Sequence, residues 1–369
     1  MAEILFVDED PRVLAGLRHA LSVHRGHWTV GWAQDGPAAL EYLASKGGID
    51  VLVADTGMPG LDGATLLEQV RQQFPSTARI VLSGYADRDA LISAAGTAQQ
   101  FVGKPVDPTT LIATLDSLLA ARSLVQDVHL RSLLGGTETL PRPPAIYAEL
   151  AELTNRPEST VAEIARLIER DLATTAELLH LVNCSFFGLA NEISSVSRAV
   201  TLLGLDVIQA LVFAGYAFRS SRELPADLVA ADIASQGLRA CLALRGTDAA
   251  SGMAEPQIRQ LSVGALLRDV ALLSLAANQP DSWAQYARTR TLLPAREAQE
   301  RAFGCTVGRA SAYLLALWGF HSVTVNALAG QPVELEDDFA RVNVSKAALA
   351  IAEAHEIATR MAAPAGSTP

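Results

Sequence analysis

Asp8, Glu9, Asp55, Ser83 and Lys104 each stand at or just after the end of a short apolar run. Carboxylates, a hydroxyl and an ammonium group suit phosphoryl chemistry if the runs bring them to one place. Crowded carboxylates repel one another, so a site holding three of them favours a divalent cation, and oxygen donors suit Mg2+. Such a cation neutralises an incoming phosphoryl group and lets Asp55 attack as a carboxylate nucleophile. Ser83 can donate a hydrogen bond to one phosphate oxygen, and Lys104 supplies a cation to another. Lys104 also stands out against local usage: Lys46, Lys104 and Lys346 are the only lysines among 29 basic residues.

The elements that must position these side chains follow from the hydrophobic pattern. Ile4–Val7, Trp28–Ala33, Val51–Ala54, Arg79–Leu82 and Gln100–Val102 read as strands. Helical periods lie between them, near Val13–Ser22, Ala38–Ala44, Ala64–Gln72 and Asp89–Ala95, with a fifth from Pro108 to about Ala121. Alternation of this kind predicts a five-stranded parallel sheet, doubly wound with helices on both faces. Right-handed crossovers then bring the carboxyl ends of the strands to one rim.

The runs Ile4-Leu5-Phe6-Val7-Asp8-Glu9-Asp10, Asp55-Thr56-Gly57-Met58-Pro59-Gly60-Leu61-Asp62-Gly63, Leu82-Ser83-Gly84-Tyr85 and Phe101-Val102-Gly103-Lys104-Pro105 closely resemble the receiver domain of two-component response regulators. The resemblance covers about residues 1–122 and implies a flavodoxin-like fold. It implies that Asp55 accepts phosphate from a histidine kinase or phosphotransfer protein. By the same resemblance Glu9, Asp55 and the Gly57 carbonyl would hold Mg2+ directly, with Asp8 acting through water. Phe101 matches the family's switch aromatic, turning inward when Ser83 moves toward the phosphate. The Lys104-Pro105 bond is often cis in that family.

After Ala121 the strand signal disappears. Ser123–Leu134 is expected to extend the last helix as a connector, and Gly135-Gly136 with Pro141-Arg142-Pro143-Pro144 punctuate a boundary. Nearly everything beyond is helical in period. Thr160-Val161-Ala162-Glu163 fits a capping box, and Asp171 can cap the following helix. A further helix is expected over Val196–Leu203, then one over Leu205–Phe218, with a hinge at Arg222–Pro225. The expected organisation is a receiver over 1–122, a connector over 123–136 and an all-helical output domain over 137–332. An acidic segment, a helix from Ser345 to Arg360 and a disordered tail would fill 333–369.

This second half resembles the HD-related output domain, HDOD, a relative of the HD phosphohydrolases. The stretches Asp171–Leu179, Val182–Leu189 and Ile193–Leu205 carry the resemblance, with Phe303-Gly304-Cys305 and Leu317-Trp318-Gly319-Phe320 as weaker landmarks. Active HD enzymes use a His, a His-Asp pair and further His or Asp around one or two metals to activate water. Here Gln236, Arg268 and Val307 stand where histidines would fall, and Asp269 alone survives of the pair. His180, His321 and His355 are too scattered to replace them. The resemblance therefore implies a non-catalytic output domain that engages another signalling protein. The rival reading is a metal-dependent phosphohydrolase of nucleotides or cyclic dinucleotides. Asn183 and Ser185 read as hydrogen-bonding the turn after their helix; Phe186-Phe187 and Trp318 read as packing wedges.

Composition narrows the remaining classes. The 369 residues carry a formal charge of −11, half are hydrophobic and mean hydropathy is +0.22. A large core is expected, and a dedicated nucleic-acid binder is not, since that would present a basic face. The acidic start lacks the pattern of a signal peptide, so a cytoplasmic setting is expected. Cys184, Cys241 and Cys305 give no disulfide or metal spacing and read as buried thiols. Residues 310–333 hold no charge and are long enough to span a membrane, yet polar residues and Trp318-Gly319-Phe320-His321 read as a break between two buried helices. Association into a homodimer is left open.

Overall fold

The computed structural model describes residues 2–24, 28–58, 60–84, 97–136, 160–183, 193–201, 224–228, 230–320, 322–330 and 338–362. Five strands, β1 (Ala2–Val7), β2 (Trp28–Ala33), β3 (Val51–Asp55), β4 (Ala78–Gly84) and β5 (Gln100–Lys104), form one sheet in the order β2-β1-β3-β4-β5. Every pairing is parallel, and the register sets Val7 beside Ala54, Ala54 beside Val81 and Val81 beside Phe101. The expected fold class is the observed one. The carboxyl ends of β1, β3 and β5 therefore share one rim.

Alternation along each strand feeds two cores. Ile4, Phe6, Val51, Val53, Ile80 and Leu82 face α1 (Pro11–Ala20) and α4 (Pro108–Arg122). Leu5, Val7, Leu52, Ala54 and Val81 face α2 (Gly36–Lys46) and α3 (Gly63–Gln73). Aspartates open all four helices: Asp10, Asp35, Asp62 and Asp107 each accept a hydrogen bond from a main-chain N–H of the first turn. The helix expected over Asp89–Ala95 lies outside the described residues.

The connector departs from expectation. α4 ends at Arg122, and the chain turns before a separate helix, α5 (Val128–Gly135), begins. Asp127 is the cause: its Oδ1 accepts from the main-chain N–H of His129 at 2.7 Å and of Leu130 at 3.2 Å, which starts a new helix.

Every regular element described in the C-terminal region is a helix. α6 (Val161–Glu169) opens with the expected capping box, Thr160 and Glu163 bonding each other's main chain. Asp171 caps α7 (Leu172–Asn183) through the N–H groups of Ala173 and Thr174. Residues 196–201 are helical; the stretch expected to follow, over Leu205–Phe218, lies outside the described residues. Then come α8 (Ala230–Ala243), α9 (Glu255–Leu267), α10 (Val270–Asn278), α11 (Pro280–Thr289) and α12 (Ala295–Phe303). The uncharged stretch forms α13 (Val307–Leu317) and α14 (Ser322–Ala329), broken at Gly319, whose φ of +76° suits glycine. A last helix, α15 (Asp338–Ala362), packs on α8, α9 and α14 and buries Ala347, Ala350, Ile351, Ala354 and Ala358. By length and composition Leu261–Asn278 could cross a membrane, but Arg268-Asp269 interrupt it and 67% of it is buried within the fold. The core beneath β1, β3 and β4 runs without interruption into this helical region.

Candidate functional site

The rim gathers four of the predicted side chains, Asp8, Glu9, Asp55 and Lys104. Lys104 donates through Nζ to Asp55 Oδ1 at 2.6 Å and to Asp8 Oδ2 at 2.8 Å. Asp8 and Asp55 are only 1% and 5% exposed, and the Lys104 ammonium is a cationic partner to both. Both are also held by main chain, Asp8 Oδ1 by the N–H of Asp10 at 2.9 Å and Asp55 Oδ2 by the N–H of Gly57 at 2.9 Å. Each carboxylate is thus fixed at both oxygens before any ligand arrives. The Lys104-Pro105 peptide is cis.

Gly63 allows β3 and α3 to meet behind this site. A Cβ there would lie 2.1 Å from the Asp55 carbonyl oxygen, so no other residue fits. Sequence reasoning placed Gly63 within a motif and gave it no role; the close approach of the two backbones is its role.

The charge state suits a cation. Desolvation, reinforced by the Asp55 and Asp8 carboxylates, pushes Glu9 above the usual carboxylate range. Burial alone would lower Lys104, but its hydrogen bonds to Asp55 and Asp8 outweigh that and hold the ammonium above its ordinary value. Among the described residues no three His, Cys, Asp or Glu side chains are already gathered as a metal-binding set, since Lys104 stands between the two aspartates. The donor chemistry still fits Mg2+: three carboxylates against one ammonium leave surplus negative charge, and every donor is oxygen.

Ser83 and Phe101 are placed by their backbones alone. Ser83 pairs with Gly103 and Phe101 with Val81, which sets Ser83 near the carboxyl end of β4 beside β5. Their side chains lie outside the described residues.

In the helical region Gln236, Arg268, Asp269 and Val307 all line one cavity of about 610 Å3. The four positions named from the sequence therefore converge, although the side chains there are an amide, a guanidinium, a carboxylate and an isopropyl group. His355 lines the same cavity, while His321 and the side chain of His180 lie outside the described residues. Asn183 exchanges two hydrogen bonds with the main chain of Ile193 at 2.7 and 3.0 Å; the turn expected after its helix lies outside the described residues. Trp318 is buried, as is the free thiol of Cys305. Ser185, Phe186, Phe187 and Cys184 lie outside the described residues, as does the side chain of Cys241.

A family model for the HDOD domain matches residues 140–332, more than half of the chain. The chain belongs to the HDOD family. A second model, the response regulator receiver domain, matches residues 4–116. The protein is accordingly a response regulator with an N-terminal receiver and a C-terminal HDOD domain. Among curated proteins it is 34% identical over 130 residues to the hydrogenase transcriptional regulatory protein HoxA of Cupriavidus necator, covering 35% of this chain and 26% of that one. It is 34% identical over 115 residues to the DNA-binding transcriptional regulator NtrC of Escherichia coli, covering 31% and 24%. The chain thus spans about a quarter of the length of these relatives. The solved MmoQ response regulator of Methylococcus capsulatus aligns at 22% identity with a TM-score of 0.47, over 61% of this chain and 89% of that one.

The receiver also contacts both the HDOD region and the connector. HDOD helix α13 packs along receiver helix α4. Gln100 of β5 donates through Nε2 to the carbonyl of Ala316 at 2.9 Å. Arg79 of β4, fully buried, donates to the carbonyls of Thr97, Thr77 and, at 2.8 Å, Gly135 at the end of α5. Gln99 donates to the same Gly135 carbonyl at 2.9 Å.

Proposed function

We propose that Asp55 takes a phosphoryl group from the phosphohistidine of a histidine kinase or phosphotransfer protein, and that the HDOD domain reports this through protein contact without catalysis. The contact of Lys104 with both Asp55 and Asp8 carries the reading, because it fixes the acceptor side chain beside a cation at the rim of a parallel sheet. An Asp55 oxygen attacks phosphorus as the phosphorus–nitrogen bond of the donor breaks, and the imidazole leaves with the electron pair. Lys104 and the Ser83 hydroxyl stabilise charge on the transferring oxygens. Glu9, Asp55 and the Gly57 carbonyl are the residues that would hold Mg2+, with Asp8 through water. When bound, that ion supplies charge neutralisation at the phosphoryl oxygens.

A signal leaving Asp55 has a short path to the output side. β5 carries Lys104 at one end and Gln100 at the other, and Gln100 is bonded to α13. Phosphorylation can shift the HDOD domain only through a difference in such contacts between two states. We read Phe101, next to Gln100 on this strand, as the switch residue. The boundaries we favour are a receiver over 1–122, a connector over 123–136 and an output domain over 137–332, against which α15 packs.

Non-catalytic output is supported by what lines the cavity at the former ligand positions, since Gln236, Arg268 and Val307 offer neither imidazole nor carboxylate. Incubation with acetyl phosphate and Mg2+, followed by phosphate-affinity electrophoresis, tests the receiver chemistry. Wild type should shift and Asp55→Asn should not; equal behaviour of the two would sink the assignment. Stoichiometric bound Fe, Mn or Zn with phosphoester turnover would overturn the non-catalytic reading.

A further inference from the structure

The cavity where the metal site would lie keeps a well-defined polar arrangement. His355 on α15 is 3% exposed, and its Nε2 lies 2.7 Å from the carbonyl oxygen of Ala265. Only a protonated nitrogen can make that contact, so in the neutral ring Nδ1 carries a bare lone pair. Burial pushes His355 below its ordinary pKa, which favours the neutral ring; Arg268 adds to this and Asp269 opposes it. Nδ1 is buried with no hydrogen-bond partner and faces Asp269 Oδ2 at 3.8 Å. Two acceptors thus confront each other across a gap too wide for a hydrogen bond and with no donor between them. No atom fits in line between groups 3.8 Å apart, but an N–H-bearing cation placed beside them, on the cavity side, would be within hydrogen-bond reach of both.

The remaining wall chemistry agrees. Asp227, Asp232, Asp269 and Glu356 set four carboxylates against the guanidiniums of Arg268 and Arg290. Trp283 and Tyr286 add aromatic faces, and Trp283 already carries a cation, with the Arg290 guanidinium 5.9 Å from its ring centre. An anionic ligand such as a nucleotide meets net repulsion here, whereas an amine meets carboxylates and aromatic rings. A volume of about 610 Å3 is the size of a small-molecule site.

We propose that this HDOD cavity binds a small organic cation, an alkylamine or alkylguanidine, whose N–H groups bridge His355 Nδ1 and Asp269 Oδ2. The inference rests on the non-catalytic reading of the domain, because an active metal centre would fill the same space.

Calorimetry of the full-length protein with agmatine and with spermidine tests it, with AMP and citrate as anionic controls and an arginine-containing pentapeptide as a macromolecular mimic. At least one amine should bind with one-to-one stoichiometry, and Asp269→Asn should weaken that binding by about tenfold, the loss of a charge-assisted hydrogen bond. Asp232→Asn, on the exposed part of the wall, should weaken it by about two- to threefold through charge alone, and it serves if Asp269→Asn does not fold. Absence of binding by both amines would overturn the proposal. So would equal affinity in wild type and every folded variant, or tighter binding of AMP or citrate. Tighter binding of the peptide would overturn the small-molecule assignment. A parallel turnover assay with added Mn2+ separates the two readings: turnover sinks the non-catalytic reading, while failed amine binding without turnover sinks only this one.

Discussion

The side-chain amide of Gln100 bonds the main-chain carbonyl of Ala316 across 216 positions of sequence, joining β5 of the receiver to the end of α13 in the HDOD domain. Gly319 packs on the same amide; a Cβ there would lie 3.3 Å from the Gln100 side chain, and its φ is +76°. Gln100→Ala removes one buried hydrogen bond and should cost about 1 kcal/mol. Gly319→Ala should cost about 1 kcal/mol or more from its backbone alone. Thermal unfolding of the full chain checks both, and unchanged midpoints would show that this contact does not hold the domains together.

Among the described residues Arg79 is the largest fully buried side chain, and its guanidinium serves carbonyls of Thr77 just before β4, of the segment before β5 and of the connector. Arg79→Met keeps the length and removes the donors. We expect a loss of about 3 kcal/mol, the scale for stranding buried acceptors, with faster amide hydrogen exchange at the end of α5. Exchange confined to the receiver strands would argue that Gly135 is held by Gln99 alone.

Lys104 both neutralises and occupies the acidic site. Lys104→Met should therefore bind Mg2+ more tightly, by removing a competing charge, yet accept phosphate from acetyl phosphate about tenfold or more slowly. Opposite signs in the two measurements are the signature; a fall in both would indicate a collapsed site.

His355 predicts a pH dependence of stability. Its folded-state pKa lies below the ordinary 6.5, so an unfolded chain takes up the proton first as pH falls. The neutral ring contributes stability above pH 6.5, and that contribution is lost between 6.5 and the lower folded-state value. Urea midpoints should drop over this window, and His355→Gln, which keeps a donor for Ala265, should flatten the drop. Asp269→Asn should steepen it, because Asp269 opposes the shift.

Cys305 is buried, and burial pushes its thiol up to about 11. A disulfide reagent at pH 8 should leave it unmodified in the folded protein and react once the chain is unfolded. Rapid reaction of the folded protein, traced to Cys305 by mass spectrometry, would contradict this burial.

The sheet and its rim were readable because their signals are local. Val51-Leu52-Val53-Ala54 announces a strand buried on both faces, and Asp55 follows it within one residue. The break at Asp127 departs from the continuous helix expected over Ser123–Leu134, although the aspartate cap that makes it is a local signal. Contacts such as Gln100 with Ala316 or Arg79 with Gly135 leave no trace in periodicity, since an amide or guanidinium meeting a distant carbonyl has no characteristic spacing. In the HDOD domain, resemblance named the four cavity positions, but not the partnership of Asp269 with His355 on another helix.

That helix, α15, has a consequence during synthesis. It supplies His355 and Ile351 to surfaces made from α8, α9 and α14, all of which leave the ribosome earlier. The receiver can mature while the rest of the chain is still being translated. The HDOD core must wait with an open flank until residues 338–362 arrive, so slow translation through this stretch lengthens the time in which chaperones and proteases meet exposed apolar surface.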